Sequence, residues 1–212
     1  TLVVVGSAAM PLLFWLSAAA GSLVLLRRGA SDAMGILAWA MLPAIAWWYF
    51  GEPRTLLVLV GALSLALLLR ASWTWNRILL CSVALGLVYG LVLGTVFREP
   101  IAAMAGELQK LLPTMFDGAH QQLSVSERER LEALIAPVLT GLLAALLQIL
   151  SLLSLILGRY WQAVLYNPGG FGREFRALRL SLPQVLLLLA GMMLGPNLGP
   201  QLAMLTPLCS VP

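Results

Sequence analysis

Charge is scarce in this sequence: Asp, Glu, Lys and Arg make up 10% of 212 residues, against about 25% in a soluble globular domain. That excludes an ordinary soluble domain. It also excludes a disordered chain, which needs high charge and low hydrophobicity. Histidine occurs once, as His120, so neither an HExxH pair nor a Ser–His dyad can be assembled. No GxSxG elbow and no GxxxxGK(S/T) phosphate loop is present. Cys81 and Cys209 stand alone in apolar runs without CxxC spacing; they read as buried small hydrophobes, with no disulfide or metal framework. No Asp, Glu, Lys or Arg falls in the middle of an apolar run. Such residues are the usual mark of proton relays and ion coupling, and their absence argues against a pump or ion-coupled carrier. We expect no catalytic residue, no cofactor and no metal.

What the chain has in quantity is apolar surface: 60% of its residues are hydrophobic and the mean hydropathy is +0.93. A membrane-crossing helix takes about 20 such residues. Six runs approach that length: 2–26, 33–50, 55–69, 78–97, 134–157 and 181–205. The expected fold is therefore all-α, a polytopic transmembrane helix bundle with about six spanning segments in a single domain over 1–212. The third run is short unless Trp73 and Trp75 extend it. Met10-Pro11 divides the first run into one kinked span or two short elements. The opening on Thr1 and the close on Pro212 suggest part of a longer polypeptide.

The net charge of +4 is explained by position, with no nucleic acid required. Loops 27–32, 70–77 and 158–180 hold eight arginines against Asp32 and Glu174, whereas 51–54 and 98–133 hold five basic residues against seven acids. Lys and Arg accumulate in cytoplasmic loops. The first set is thus expected in the cytoplasm, and the protein in a bacterial inner membrane. Most of the seven tryptophans lie near segment ends, as interfacial anchors do.

The exterior insertion 98–133 begins as an amphipathic helix behind Pro100, with Ile101, Met104, Ala105, Leu108, Leu111 and Leu112 along one side. Ser126 and Glu129 form a capping-box pattern, which predicts a helix start at Ser126 leading into the fifth span. Pro137 is placed to kink that helix.

Three features bear on packing or binding. Gly86, Gly90 and Gly94 make a ridge on the fourth run, the small-xxx-small spacing that lets helices approach closely. On the fifth, Gln148 and Ser151 share a stripe with Ala144, Ser154 lying close by. This stripe reads either as interhelical hydrogen bonding or as the polar wall of a ligand cavity. Pro196 and Pro200 break the sixth run, and broken helices are where transporters place binding sites. Asn197 and Gln201 are therefore ligand-facing candidates, unless 195–200 is simply an exterior turn.

The most distinctive stretch is YNPGGFGREFRALRL, 166–180. Asn167-Pro168-Gly169 turns the chain out of the fifth run, and Gly170 follows. On a helical wheel Phe171, Phe175 and Leu178 fall to one side and Arg173, Arg176 and Arg179 to the other. This predicts a cytoplasmic elbow over 158–180, a short helix in the headgroup layer with its apolar face down. Each arginine there would gain about 1 kcal/mol from anionic lipid. A docking surface for a protein partner fits the same patch.

WQAVLYNPGGFGREFRALRL at 161–180 and PLLFWLSAAAGSLVLLRRGASDAM at 11–34 resemble the signature loop and early hairpin of the YybS-like family of bacterial multi-pass membrane proteins. That family is a domain of unknown function. It is distantly similar to substrate-capture subunits of energy-coupling-factor transporters, which are six-helix vitamin binders served by separate ATPases. The resemblance implies a small-molecule ligand and a membrane or ATPase partner beside the lipid bilayer. The chain departs from those subunits in its first run. Where they carry an alanine-spaced docking ridge, only Ser17-xxx-Gly21 is found. The expected function is transporter-like binding or movement of a small molecule; the alternative is a membrane scaffold acting through the Arg/Phe elbow.

Overall fold

Inside hydrocarbon every backbone N–H and C=O must find its partner within the protein, and a helix satisfies its own. The computed structural model describes residues 14–115, 125–194 and 204–212, with side chains described outside 112–115 and 125–132. Every regular element in those residues is a helix. They are α1 (Phe14–Arg28), α2 (Ala30–Tyr49), α3 (Arg54–Arg70), α4 (Trp75–Val96), α5 (Arg98–Met115), α6 (Val125–Tyr166), α7 (Gly170–Arg176), α8 (Leu182–Leu194) and α9 (Leu205–Ser210).

Among the described residues, three helices are long and apolar enough to cross a membrane: α2, α4 and the stretch Ala133–Tyr166 of α6. This is fewer than the six runs predict, and the reason is length. The 17 residues of α3 rise about 26 Å and the 13 of α8 about 20 Å at 1.5 Å each, short of a hydrocarbon core of about 30 Å. Of the first run, α1 is described from Phe14. Trp73 and Trp75 do not extend α3: the chain turns at Ala71–Thr74, with Ser72 at φ 64, and Trp75 opens α4. Helix α6 begins at Val125, one residue before the predicted start at Ser126.

The chain divides into two compact units. The first comprises, among the described residues, 14–85 and 147–181, and its centre is α3. Leu57, Val58, Leu59, Ala62, Leu63, Leu65 and Ala66 are all buried, as a helix apolar on every side should be. Small residues bring α1 against its neighbours. A Cβ on Gly21 would stand 3.3–3.6 Å from side chains of Leu63, Leu37 and Leu59, and one on Gly158 only 2.8 Å from the Ala19 carbonyl oxygen. Gly21 and the small residues of α1 are thus taken up inside the unit, with Ser17 donating to the Phe14 carbonyl at 2.5 Å. Helix α2 turns Met34, Trp39, Leu42 and Ile45 outward, an apolar surface of the kind that lipid covers.

The second unit comprises 86–146 and 182–211. A Cβ on Gly90 or Gly94 of α4 would lie 3.9 Å from Ala144 or Thr140 of α6, respectively; Gly86 is buried. Along α5, Ile101 and Ala105 are buried while Met104, Leu108 and Leu111 remain exposed, so two of the five described residues of the predicted apolar face are covered. The sixth run is not one helix. In a straight helix Met192 and Thr206 would stand about 21 Å apart. Instead Thr206 Oγ1 donates to the Met192 carbonyl at 3.1 Å, and Cys209 Sγ lies 2.6 Å from where a Cβ on Gly191 would be. The chain reverses between α8 and α9. Both cysteines are half-buried, where the sequence predicts full burial.

Candidate functional site

A helix C-terminus leaves four carbonyls without intrahelical partners. At the end of α1, the Leu26 carbonyl accepts from Arg70 Nη1 at 2.9 Å and from Gln162 Nε2 at 3.3 Å. Gly29, the one residue between α1 and α2, makes room for this arrangement. Its φ of 93° is the left-handed conformation that glycine adopts without strain, and a Cβ there would lie 2.7 Å from Arg70 Nη2.

The network continues through α6 to α7. Gln162 Oε1 accepts from Arg159 Nη1 at 2.9 Å. Arg159 Nε donates to Glu174 Oε2 at 3.1 Å, and Arg159 Nη2 donates to Glu174 Oε1. This two-pronged guanidinium–carboxylate pair is the strong, directional form of the interaction, and the Arg159 side chain is only 18% exposed. Arg70, Leu26, Gln162, Arg159 and Glu174 therefore form one chain of hydrogen bonds linking four helices.

Helix α7 is held by its apolar face. Trp75, 7% exposed, meets Phe171 and Phe175 edge to face at centroid separations of 6.4 and 6.3 Å. Phe171 also meets Tyr160 at 6.0 Å. The Trp75 indole N–H points to Glu174 Oε2 at 3.5 Å, and Asn76 Nδ2 donates to the Arg179 carbonyl. The apolar side of the elbow is thus partly packed on the buried Trp75: Phe171 and Leu178 are half-buried, while Phe175 remains 45% exposed. Arg173, Arg176 and Arg179 are exposed, and Arg176 Nε bonds its own helix at Gly172.

The preceding turn has a local cause. Gly169 takes φ 84, and a Cβ on Gly170 would lie 2.5 Å from Asn167 Nδ2. Only a glycine pair lets α7 start there. Arg27 stacks over the Tyr166 ring at 4.3 Å, a cation–π contact at the other edge of the elbow.

Between these elements lies a cavity of about 640 Å³, lined by Arg70, Arg159, Glu174, Gln162, Asn76, Trp73, Trp75 and the turn at Ser72–Thr74, with Leu26, Leu69, Ala177 and Leu178 as its apolar walls. The volume falls in the range of small-molecule sites, about 300–1,000 Å³.

Other predicted site residues lie elsewhere. Gln148 and Ser151 are fully buried in α6. Gln148 Nε2 donates to Ser82 Oγ at 3.0 Å and Ser151 Oγ to the Leu147 carbonyl at 2.8 Å. Ser154 Oγ stands 3.0 Å from the Trp15 carbonyl oxygen. This stripe joins helices, although Gln148 Oε1 has no partner among the described residues. Asn197 and Gln201 lie outside the described residues. Sequence reading missed Arg70, Arg159, Gln162, Glu174 and Trp75 as a group. The available signal was Glu174, the lone acid in an arginine-rich elbow. A second cavity of about 590 Å³ in the other unit is lined by Gly90, Gly94, Thr140, Pro137 and Arg98 among others.

Comparison of the chain with family models, curated proteins and solved structures gives no match.

Proposed function

We propose that this chain is a non-enzymatic, transporter-like membrane protein that binds a small molecule in the cavity under α7, at the cytoplasmic face of a bacterial inner membrane. The observation that carries this reading is an open cleft of about 640 Å³ lined by side chains that contact one another. Arg159 is oriented by hydrogen bonds to Glu174 and Gln162, and Trp75 stands edge to face with two phenylalanines. Preorganised polar groups beside apolar walls are what a small-molecule site requires. The site accordingly moves from Gln148 and Asn197 to the end of the helices where arginines gather. Any energising ATPase would be a separate subunit, in keeping with the resemblance to the YybS-like family.

The test is purification of the full protein from native membranes in mild detergent, with mass spectrometry of what it retains. Wild-type protein should carry a stoichiometric small molecule. A Trp75→Ala variant of unchanged helicity should lose it, and equal retention by both would overturn the assignment.

A second reading is favoured by the outward arginines. Beside the half-exposed Phe175, the exposed Arg173, Arg176 and Arg179 face outward to meet anionic lipid or an acidic partner, each worth about 1 kcal/mol at a lipid surface. Arg173→Glu with Arg176→Glu should then lower binding to anionic vesicles, and unchanged binding would remove this reading.

A further inference from the structure

The charges around the cavity do not balance. Its lining holds two guanidiniums, Arg70 and Arg159, and one carboxylate, Glu174. Glu174 is committed to Arg159. The bond recorded for Arg70 goes to a neutral group, the Leu26 carbonyl, and no carboxylate lies within ion-pair distance of Arg70 among the described residues. We infer that the ligand of this cavity is an organic anion, whose carboxylate or phosphate engages Arg70 and Arg159 and takes the place that Glu174 holds in its absence. The inference rests on the small-molecule reading above.

Three observations converge on an anion. Arg159 already presents two parallel N–H groups to a pair of carboxylate oxygens, the geometry that recognises carboxylates and phosphates. The Trp75 indole N–H aims at the same oxygen from 3.5 Å, a long contact that a better-placed ligand oxygen would shorten. Arg70 is tied to this receptor through Leu26 and Gln162, so both guanidiniums are held in register before any ligand arrives.

Glu174 is the exchangeable partner because of where it sits. It belongs to a helix of seven residues, preceded by Gly169 at positive φ with nothing near its missing side chain. Residues 178–181, which follow, have no regular structure. Replacing one carboxylate by another on Arg159 leaves the guanidinium's charge neutralised throughout, so the exchange avoids exposing a lone buried charge. A neutral acceptor would gain from Arg70 only the weaker, half-charged hydrogen bond that the Leu26 carbonyl already takes, and a cation would be repelled. Leu69 and Leu178 in the lining favour an anion with an apolar body over inorganic phosphate.

A lipid headgroup and a free organic anion share this chemistry, and the experiment separates them. Full-length protein in phosphatidylcholine nanodiscs is titrated with labelled phenyl phosphate, and in parallel with labelled phosphatidic acid introduced into the nanodisc. Binding of either probe should fall about tenfold or more in Arg70→Gln, the scale of one charge-assisted hydrogen bond. It should rise severalfold in Glu174→Gln, where the internal competitor is gone, and stay unchanged in Arg54→Gln, at the opposite end of α3 from the cavity. Binding of phenyl phosphate supports a free anion; binding of phosphatidic acid alone supports a lipid headgroup. Binding of neither, or binding indifferent to both Arg70 and Glu174, overturns the inference. Should Arg70→Gln fail to fold, Glu174→Gln decides, and no gain in affinity is a negative result. A neutral molecule retained by wild type and lost from Trp75→Ala would sink the anion inference while leaving the small-molecule reading intact. Retention of nothing would sink both.

Discussion

The guanidinium of Arg70 and the carboxamide of Gln162 converge on a single acceptor, the carbonyl of Leu26, at 2.9 and 3.3 Å. Two helices thereby close the end of a third, and one of the closing groups is charged. A cation at a helix C-terminus also meets the negative end of the helix dipole. Arg70→Ala should cost about 1–2 kcal/mol of stability, read as a lower unfolding midpoint in detergent, while Arg70→Lys should recover part of it.

Gly29 and Gly172 should respond oppositely to alanine. At Gly29 the new Cβ meets Arg70 Nη2 at 2.7 Å with φ at 93° and ψ at 173°, an essentially glycine-only conformation that costs another residue about 1–3 kcal/mol. Gly172 has open space around it inside a helix, where alanine is favoured by about 0.5–1 kcal/mol. Thermal unfolding of Gly29→Ala should therefore drop, and that of Gly172→Ala should hold or rise. The reverse order would mean that the turn is not built as described.

Gly158→Ala should be the most damaging small substitution in the first unit. Its Cβ would stand 2.8 Å from the Ala19 carbonyl oxygen and 3.2 Å from the Leu23 amide nitrogen, both backbone atoms that cannot rotate aside. Overpacking of this kind costs about 1–3 kcal/mol. Gly94→Ala, with a nearest contact of 3.9 Å, is the matched control and should be close to neutral.

Gln148→Leu should fold as well as wild type and bind ligand equally well. The change removes one hydrogen bond to Ser82 together with an unpaired buried oxygen, and Ser82 Oγ keeps its bond to the Leu79 carbonyl at 2.7 Å. A lost bond and a lost desolvation penalty, each about 1 kcal/mol, roughly cancel. Loss of the retained small molecule in this variant would return the site to the fifth run.

Trp75→Ala should loosen α7. Each edge-to-face pair adds about 0.5–1.5 kcal/mol, and Trp75 makes two with this helix. Hydrogen exchange over 170–176 should become faster in the variant while exchange in α3 is unaffected.

The sequence made the membrane-spanning lengths legible: runs 33–50 and 78–97 correspond to Ala30–Tyr49 and Trp75–Val96, because apolar length and flanking arginines mark a span unaided. It could not show that Trp75 is buried, since an interfacial and an enclosed tryptophan at a helix end look alike. Nor could it show which side chain Glu174 meets. That pairing depends on a turn at Gly169 that brings α7 back over Arg159, fifteen residues earlier. Helical spacing assigns the elbow two sides, but spacing does not say how far protein covers either one: Phe171 is half-buried and Phe175 exposed. Gly158 lies four residues after Ser154, the small-xxx-small spacing, so its close approach to α1 was readable from the chain. The reversal between α8 and α9 was signalled only by Pro196 and Pro200.

The shortness of α3 has a consequence for biogenesis. Its 17 residues are bracketed by Arg54 and Arg70, and nearly every face is covered by other parts of its unit. A segment of that length, flanked by charge, is a weak insertion signal on its own. Its apolar sides are covered by α1 and α2, which are made first, so damage to the α1–α2 hairpin should leave α3 uncovered as the chain emerges.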